Sequence, residues 1–464
     1  MKKQNFETRE GWTLPFPPYM GGELGKLTYI WNLGYDTMTD FNPSDYSVVC
    51  ASETNLEELE AYVAQLQNAG YTVKQVNDGA FIKSWRVFNA DSEMYMYLSV
   101  NAGEVRFILD RNESVGTERF SYCYLKQEGE RTALYLYGLH MDPVGINVGE
   151  KFPDGTVNTK TCNCGQLLIL KLADNSVVII DGGDVTQMSK TAAEGLDRFL
   201  HRITDTPEGK TVRISAWIIT HSHRDHFGGF ARFLIHYHAG YELERMCFSF
   251  NYRDSRLPRL IDEHLKVYYP NIKYYRPHTG ESFTLADARF DVLYTYEDIL
   301  DAKTGDQIPE QYPWGKVGVE QNNSSLVLRI TFDRIQFMLL GDIYFTAERI
   351  LLQNYGAEYL RADVMQVAHH GLNDVWQIYQ AISPAVTLYP QSSGGAAKAI
   401  WGNANNVLQH VIQYTRGGID NIYFAGDCTA CVEMTDGKLA VSTEAVVGAD
   451  YDGKWDLFDP FEEI

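Results

Sequence analysis

The stretch Thr220–Gly229 reads THSHRDHFGG and follows the apolar run ISAWII at 214–219. It places His221, His223, Asp225 and His226 within six positions. Residues two apart at the end of an extended strand point to the same side, and neutral imidazoles and carboxylates are ligands that Zn²⁺ prefers. The two glycines predict a tight turn with close backbone approach. The stretch therefore predicts a metal site at a strand end rather than a set of isolated surface histidines.

Two later apolar runs also end in residue types that bind metals. IQFMLLGD at 335–342 ends at Asp342, and ADVMQVAHHG at 362–371 ends at His369 and His370. Between the clusters, QNNSSLVLRITF at 321–332 carries Asn322 and Ser325 just before a strand. Because ligands of open α/β sheets bind at the carboxyl ends of strands, we expect these residues to meet the first cluster.

The N-terminal region reads as a small α+β unit. Over residues 46–110, one helical pattern lies among strand-like runs in the order β-α-β-β-β. Thr54 and Glu57 have the spacing of a capping box, and Gly70 is placed to end the helix. We expect an accessory α+β domain with linker over residues 1–125.

Residues 126–464 are predicted to form a second, layered α/β domain. GQLLILKLADNSVVIIDGGD at 165–184 predicts a β-hairpin that ends at Asp181. Helices and strands then alternate to about residue 390. NIYFAGD at 421–427 and VEMTDGKLAVS at 432–442 predict a C-terminal hairpin.

Composition restricts the classes of partner. The 464 residues carry a net charge of −21, which opposes binding of long nucleic acids and anionic membranes. The N-terminus lacks an apolar signal-peptide core, and no apolar run reaches the ~18 residues of a membrane span. We therefore expect a cytoplasmic location. A leader peptide that was cleaved from the protein stays an open alternative.

The seven cysteines do not form a disulfide pattern and suit a reducing compartment. Cys162, Cys164, Cys428 and Cys431 offer an alternative four-thiolate zinc site, although the first pair is loosely spaced. The default interpretation of these residues is small, partly buried thiols in strands.

The histidine cluster and the later strand ends resemble the metallo-β-lactamase superfamily of hydrolases, over roughly residues 155–450 of the chain. The resemblance rests on DGG at 181–183, HSHRDH at 221–226, Asp342 of LLGD and HHG at 369–371. The order NNSSLV, FMLLGD, VAHHG is most similar to the hydrolase domain of bacterial competence DNA-uptake proteins, and also to phosphorylcholine esterases. The resemblance implies a four-layer αββα domain preceded by the small α+β domain.

The resemblance also implies a centre of two divalent metal ions. The implied ligands are His221 and His223 for the first ion, Asp225 and His226 for the second, Asp342 as the bridge, and His369 completing the second. His370 would then face the substrate as proton donor or stabiliser, although the two histidines could exchange roles. Histidine-rich ligation favours Zn²⁺, and Mn²⁺ remains an alternative. Asp181 would accept a hydrogen bond from a ligand histidine and fix its tautomer, unless it only forms the turn.

This sequence departs from the superfamily at Asn322, where a histidine is usual. The first ion would have fewer strong ligands, so a one-metal enzyme stays open. Asn322 or a water could instead fill the first ion's free position, and Ser325 or Asn322 is expected to donate a hydrogen bond near the substrate.

The implied chemistry is hydrolysis by a hydroxide formed from metal-bound water, whose pKa falls towards ~7. We expect the substrate to be a phosphoester, preferably a small or exposed phosphodiester. Amide, lactam or thioester hydrolysis at the same site is one alternative, and a non-catalytic metal-binding regulatory protein is another. The sequence leaves the oligomeric state open.

Overall fold

The computed structural model describes residues 8–29, 46–101, 103–110, 114–117, 119–141, 164–250, 264–313, 315–397 and 405–447. Over these residues the chain is a mixed α/β fold with three large β-sheets, named here in chain order as the first, second and third sheets.

Strands and helices are numbered in chain order. The first sheet contains β1 Glu23–Leu24, β2 Thr28–Tyr29, β3 Tyr46–Ser52, β4 Thr72–Asp78, β5 Lys83–Asn89, β6 Met94–Asn101 and β7 Glu104–Asp110. The second contains β9 Ala133–Leu136, β10 Leu167–Lys171, β11 Val177–Asp181, β12 Val212–Ile218, β13 Tyr241–Leu243, β14 Arg245–Cys247, β15 Lys273–Tyr275, β25 Thr429–Thr435 and β26 Lys438–Glu444. The third contains β8 Tyr122–Cys123, β16 Ser282–Ala286, β17 Ala288–Tyr294, β20 Val327–Phe332, β21 Ile335–Leu339, β22 Val364–Gln366, β23 Val386–Tyr389 and β24 Ile422–Phe424.

Strands β18 Glu310–Gln311 and β19 Val317–Gly318 form a separate pair. The α-helices are α1 Leu56–Asn68, α2 Lys190–Ile203, α3 Arg224–Tyr237, α4 Lys266–Tyr268, α5 Phe345–Asn354, α6 Ala357–Leu360, α7 Trp376–Ile382, α8 Ser393–Ala396 and α9 Asn405–Tyr414.

The first sheet is antiparallel and carries α1 on one face. The predicted β-α-β-β-β order is present, and Gly70 follows the helix with a φ of 91°. The predicted capping box is wrong by one residue, because the helix cap is Asn55, whose side chain accepts from the Glu58 amide. Thr54 instead donates its hydroxyl to the Glu58 carboxylate at 2.7 Å.

The hairpin predicted over 165–184 is formed by β10 and β11, which pair antiparallel. Strand β11 also pairs in parallel with β12, so both strands end at the same sheet edge. In the third sheet β21 and β22 are parallel in the same way. The backbone amide of Leu326 donates to Thr220 O at 2.8 Å, which ties the segment before β20 to the end of β12.

Two apolar clusters hold the second and third sheets in place. One contains second-sheet residues such as Trp217, third-sheet residues such as Phe290, and Phe230 of α3. The other packs the third sheet, α5, α7 and α9 together, and it includes Val48 and Ile108 of the first sheet. The first sheet therefore shares a buried core with the region that follows it.

The double glycine after the histidine cluster lies inside α3, so the predicted tight turn at this point is wrong. The chain turns earlier, at 220–223, and α3 begins at Arg224. Gly229 donates its amide to Gly183 O at 2.8 Å, and a Cβ atom there would lie 2.5 Å from Gly182 O. The predicted close backbone approach is therefore present, and it lets α3 pack against the loop after β11.

At the C-terminus the predicted hairpin is divided between two sheets. IYF at 422–424 forms β24 at the edge of the third sheet, whereas β25 and β26 pair with each other and join the second sheet through β9. Among the described residues, no helix combines the length and apolar character that a bilayer crossing requires.

Candidate metal centre

Four strand ends from two sheets meet at one place. Asp181 ends β11, and His221 follows β12. Asp342 follows β21, and His370 follows β22. Every one of these four residues is at most 1% exposed, although all four carry polar or ionisable side chains. Such groups remain buried only when each has a partner, so their contacts identify what the site can hold.

Asp181 supports the cluster from behind. Its Oδ1 accepts from the Thr220 amide at 2.7 Å, and its Oδ2 accepts from Gln166 Nε2 at 2.7 Å. His226 Nδ1 lies 2.7 Å from the same Oδ2. Because a carboxylate only accepts, His226 donates from Nδ1 and turns its Nε2 atom inward. This is the contact expected if Asp181 fixes the tautomer of a ligand histidine.

His226, His370 and Asp342 bring their inner atoms together. His226 Nε2 lies 3.1 Å from His370 Nε2 and 3.1 Å from Asp342 Oδ2. His370 Nε2 lies 3.3 Å from Asp342 Oδ2 and 3.2 Å from Asp225 Oδ2. Ligands of a tetrahedral zinc ion lie roughly 3.4 Å apart, given metal–ligand distances of about 2.0–2.2 Å. The four measured separations of 3.1–3.3 Å lie close to that value.

The hydrogen bonds behind the two histidines show that a cation belongs among them. His370 Nδ1 lies 3.0 Å from Pro390 O, a carbonyl that can only accept, so Nδ1 carries a proton. His226 Nδ1 is protonated for the same reason, as its partner is Asp181. In their neutral forms both rings therefore direct Nε2 lone pairs at each other and at carboxylate oxygens. Only a proton or a metal ion makes this arrangement favourable.

His369 and His370 lie in different surroundings, although the sequence favoured His369 as the ligand. His370 is buried among the carboxylates, whereas His369 is partly exposed. His369 Nδ1 lies 2.8 Å from Asn373 Oδ1, and its Nε2 lies 3.5 Å from Asn322 Nδ2. The reason is backbone conformation: both residues have positive φ, 48° and 52°, so consecutive side chains do not alternate as they would in a strand.

The region expected for the first ion is less complete. His221 Nε2 lies 3.7 Å from Asp342 Oδ2 and has no hydrogen-bond partner among the described residues. His223, expected beside it as a ligand, has Nε2 3.2 Å from Gln321 Oε1. His223 lies at the N-terminus of α3, where the extended backbone turns its ring towards the facing loop. The described ligand atoms thus group His221 with His226 and Asp342 rather than with His223.

Further buried atoms lack hydrogen-bond partners here. Asp342 Oδ1 and Asn322 Oδ1 are both unpartnered among the described residues, and both side chains are at least nine-tenths buried. Buried oxygens without a donor are costly unless a cation or water satisfies them. The residues present therefore fit divalent cations. Ser325, expected to donate a hydrogen bond near the substrate, is fully buried, and its Oγ atom accepts from the Asp342 amide at 2.9 Å.

Charges in the cluster support one another. Burial opposes ionisation of Asp342, but nearby His226 and His370 outweigh it and hold the pKa of Asp342 well below its usual range. Burial lowers the pKa of His370, but the Asp342 and Asp225 carboxylates outweigh it and raise that pKa to about 10. Burial dominates at His221, whose pKa lies well below the ordinary value. Several of the pKa shifts in this cluster are large, as is common at functional sites.

Several contact residues were not predicted from the sequence. They are Gln166, Thr220, Gln321, Asn373 and Pro390. Thr220 could have been found by its place before the histidine cluster, but the others have no local pattern. In the alternative thiolate site Cys162 lies outside the described residues, and Cys164 contacts Asp225 with Sγ 3.7 Å from Oδ2.

No family model matches the chain, and no curated protein matches its sequence. Solved structures that match include CmlA, a diiron β-hydroxylase from Streptomyces venezuelae, at 11% identity and a TM-score of 0.29 over 62% of this chain and 51% of that one. The chain thus spans about half the length of CmlA. Human tRNase Z, short form, matches at 13% identity and a TM-score of 0.25, over 50% of this chain and 76% of that one. A metal-dependent hydrolase of the β-lactamase superfamily matches at 10% identity and a TM-score of 0.32, over 63% of this chain and 95% of that one. Likeness at this level carries no conclusion about the activity of this chain.

Proposed function

We propose that this protein is a metal-dependent hydrolase with a metallo-β-lactamase-type site that holds two divalent ions. One observation carries the proposal: the inner nitrogen atoms of His226 and His370 face each other and Asp342 at 3.1–3.3 Å, with their outer nitrogen atoms committed to acceptors. The four-layer αββα arrangement belongs to the same proposal. Its support is the pair of apolar clusters, one of which joins the second and third sheets.

The residues of the chain have distinct roles in this proposal. His221, His226, His370, Asp225 and Asp342 hold the ions, with His223 at the edge of the first position. Asp181 and the Pro390 carbonyl orient the two central histidines. Bound divalent ions supply an activated water and positive charge that stabilises the transition state.

His369 is suited to handling a proton beside the ions. Burial is the main cause that lowers its pKa below the ordinary value, so the ring is neutral near pH 7. Its Nδ1 atom donates to Asn373 Oδ1 at 2.8 Å, which leaves Nε2 able to accept a proton. This is the role that the sequence assigned to His370.

The proposed substrate is a phosphoester, preferably a small or exposed phosphodiester. Support comes from the order of the NNSSLV, FMLLGD and VAHHG segments and from the net charge of −21, which opposes binding of a long nucleic acid. Zn²⁺ is the proposed metal because histidine provides most of the ligands.

The first test is metal content and hydrolysis of bis-p-nitrophenyl phosphate by the wild type and Asp342→Asn. We expect about two ions per wild-type chain, metal loss in the variant and a fall in turnover of at least about 100-fold, since the carboxylate is buried among the ligands. Asp436→Asn is the matched control, because Asp436 is exposed on a turn whose φ of 50° asparagine tolerates.

A metal-loaded wild type that leaves phosphodiesters intact but cleaves a lactam or thioester probe would replace the substrate class. A wild type that cannot be loaded with metal at all would overturn the hydrolase proposal. About one ion per chain would support the one-metal alternative, in which Asn322 leaves the first position weak.

A further inference from the structure

A buried cysteine contacts one of the carboxylates of the candidate metal centre. Cys164 is 7% exposed, and its Sγ atom lies 3.7 Å from Asp225 Oδ2. The same Asp225 oxygen lies 3.2 Å from His370 Nε2. The ligand atoms of these three side chains lie within 4.8 Å of one another. A thiol, a carboxylate and an imidazole together form a donor set that suits zinc.

The backbone holds Cys164 in this place. It forms an isolated antiparallel bridge with Gln391, and its carbonyl accepts from Gln187 Nε2 at 3.1 Å. Two residues later the Gln166 amide donates to the carbonyl of Asp225 at 3.3 Å. Cys164 therefore has a fixed position relative to Asp225, rather than lying at the end of a free loop.

The distances fit a shared ion as well as they fit a weak thiol hydrogen bond. With metal–sulfur and metal–oxygen distances of about 2.3 and 2.1 Å, a tetrahedral zinc site places sulfur and oxygen ligands roughly 3.6 Å apart. Nitrogen and oxygen ligands lie roughly 3.4 Å apart. The observed separations are 3.7 Å for Cys164 and Asp225, and 3.2 Å for His370 and Asp225.

An independent observation also indicates a cation at this point. Asp342 is 1% exposed, its Oδ1 atom has no hydrogen-bond partner among the described residues, and its Oδ2 atom lies 3.3 Å from His370 Nε2. An anionic side chain this deeply buried needs positive charge close by. Asp342 thus adds an unsatisfied buried carboxylate beside His370, one of the three side chains that group with Cys164 and Asp225.

We infer that the thiolate of Cys164 binds the zinc ion held by Asp225 and His370. This rests on the proposed metal centre but not on its proposed substrate. The two ion positions then differ in chemistry: a soft sulfur-containing one, and a harder one near His221 and Asn322. A thiolate ligand favours Zn²⁺ over Mn²⁺, so the sulfur-containing position selects the metal. Binding there also displaces the thiol proton, because the thiolate is the ligand.

The test is the absorption spectrum of the protein loaded with Co²⁺, which reports a sulfur–metal bond through an ultraviolet charge-transfer band. We expect the band in the wild type, its loss in Cys164→Ser, and a weakening of zinc affinity of about 10-fold or more in a chelator competition. Cys123→Ser is the matched control, because Cys123 is exposed and should leave both readouts unchanged. Cys162→Ser tests the neighbouring thiol.

Wild-type protein that binds Co²⁺ without the band would overturn the inference. A band that survives in Cys164→Ser and disappears in Cys162→Ser would overturn it as well. If Cys164→Ser does not fold, alkylation of the wild type decides: zinc should protect Cys164 and a chelator should expose it, while Cys123 reacts in both states. Equal reactivity of Cys164 with and without zinc would count against the inference.

The two proposals fail in distinguishable ways. A charge-transfer band in a protein that cleaves no phosphoester would remove the substrate proposal and keep the sulfur ligand. Phosphoester cleavage by a protein without the band would do the reverse.

Discussion

His369 and His370 carry unusual backbone conformations for non-glycine residues. Both lie in the left-handed region, which costs roughly 1–2 kcal/mol per residue. Tertiary hydrogen bonds offset this cost: the His369 amide donates to Gly341 O at 3.1 Å, and His370 Nδ1 donates to Pro390 O at 3.0 Å. The strain has a geometric result, because it aims one ring into the buried cluster and leaves the other at its rim.

This pair gives a matched comparison of two adjacent histidines. We expect His370→Ala to lose close to one metal ion per chain, since His370 Nε2 lies 3.2–3.3 Å from Asp225 and Asp342. We expect His369→Ala to keep its metal but to lose turnover by about 100-fold, the usual contribution of a proton-handling group. Metal content measured beside phosphodiester turnover separates the two effects. The opposite pattern of metal loss would restore His369 as the ligand.

For single residues, the sequence predicts which side chains lie close together but not the direction in which each side chain points. Spacing within His221–His226 and the strand ends at Asp342 and His370 indicates a shared site, because strand direction follows from apolar runs. The side-chain directions of His369 and His370 depend on their left-handed backbone, and that of His223 depends on the start of α3. Neither has a reliable local signal.

Among the elements, α5 and α7 are joined by a buried carboxylate. Glu348 in α5 is 5% exposed, and its Oε1 atom accepts from the Ile378 amide of α7 at 3.0 Å. Burial raises the pKa of Glu348 from 4.5 to about 7, even though backbone amides act against the rise. The protonated form is therefore favoured in the folded protein.

Glu348 should make stability depend on pH between about 4.5 and 7. Because its folded pKa is raised, the unfolded chain loses the proton first as the pH rises, so the free energy of unfolding falls across this window and is level above it. Glu348→Gln keeps an acceptor for the Ile378 amide and removes the charge. We expect the variant to unfold like the wild type near pH 4.5 and to be more stable above pH 7 by up to about 3 kcal/mol.

Urea unfolding at a series of pH values measures this difference. Glu358→Gln is the control, since Glu358 is exposed on α6 and should show no such pH-dependent gain. A Glu348→Gln variant that is less stable than the wild type at pH 8 would show that the carboxylate is ionised and well solvated in the fold.

Strands and helices could be predicted where apolar residues recur at a regular spacing along the sequence. β3 to β7, α1 and the β10–β11 hairpin follow local patterns that the sequence carries. The cap of α1 was misplaced because Thr54 and Asn55 are both good capping residues. A tertiary contact to Tyr19 and a local contact to Glu58 engage the Thr54 hydroxyl instead. The division of β24 from β25 was missed because sheet membership depends on partners far away in sequence.

For the whole molecule, the junction between the first sheet and the following region contains buried charges. Arg276 Nη1 donates to Asp110 Oδ2 at 2.7 Å, with both side chains at most 5% exposed. His278 Nδ1 lies 2.8 Å from Glu297 Oε1, and the hydroxyl of Tyr46 in β3 donates to the same oxygen. Burial alone would lower the pKa of His278. The Glu297 carboxylate outweighs burial, so the pKa lies above its ordinary value. These pairs connect the two regions as specifically as their shared apolar cluster does.

Breaking one such pair should weaken both regions together. We expect Arg276→Met to lower the free energy of unfolding by about 3 kcal/mol or more, because the Asp110 carboxylate stays buried without the guanidinium. The matched control is Arg289→Met, which breaks a 2.8 Å pair with Asp291 on a half-exposed arginine and should cost at most about 1 kcal/mol. Denaturant unfolding followed by two probes checks this. A first-sheet transition that separates from the rest in the wild type would contradict a common core.

The boundary at 125 and the separate domains at 1–125 and 126–464 stay predictions. The sequence marks a change of pattern there, but not the contacts across it: β8 at Tyr122–Cys123 already pairs with β16 of the third sheet. Contacts of this kind join residues more than 150 positions apart, and neither composition nor periodicity encodes them.

One short segment after β23 has a mechanical consequence. The Pro390 carbonyl holds the His370 ring, and the next residue, Gln391, bridges to Cys164. We therefore expect a displacement of this segment to move the His370 ring and the Cys164 backbone together, so that the distance between them changes less than either position does.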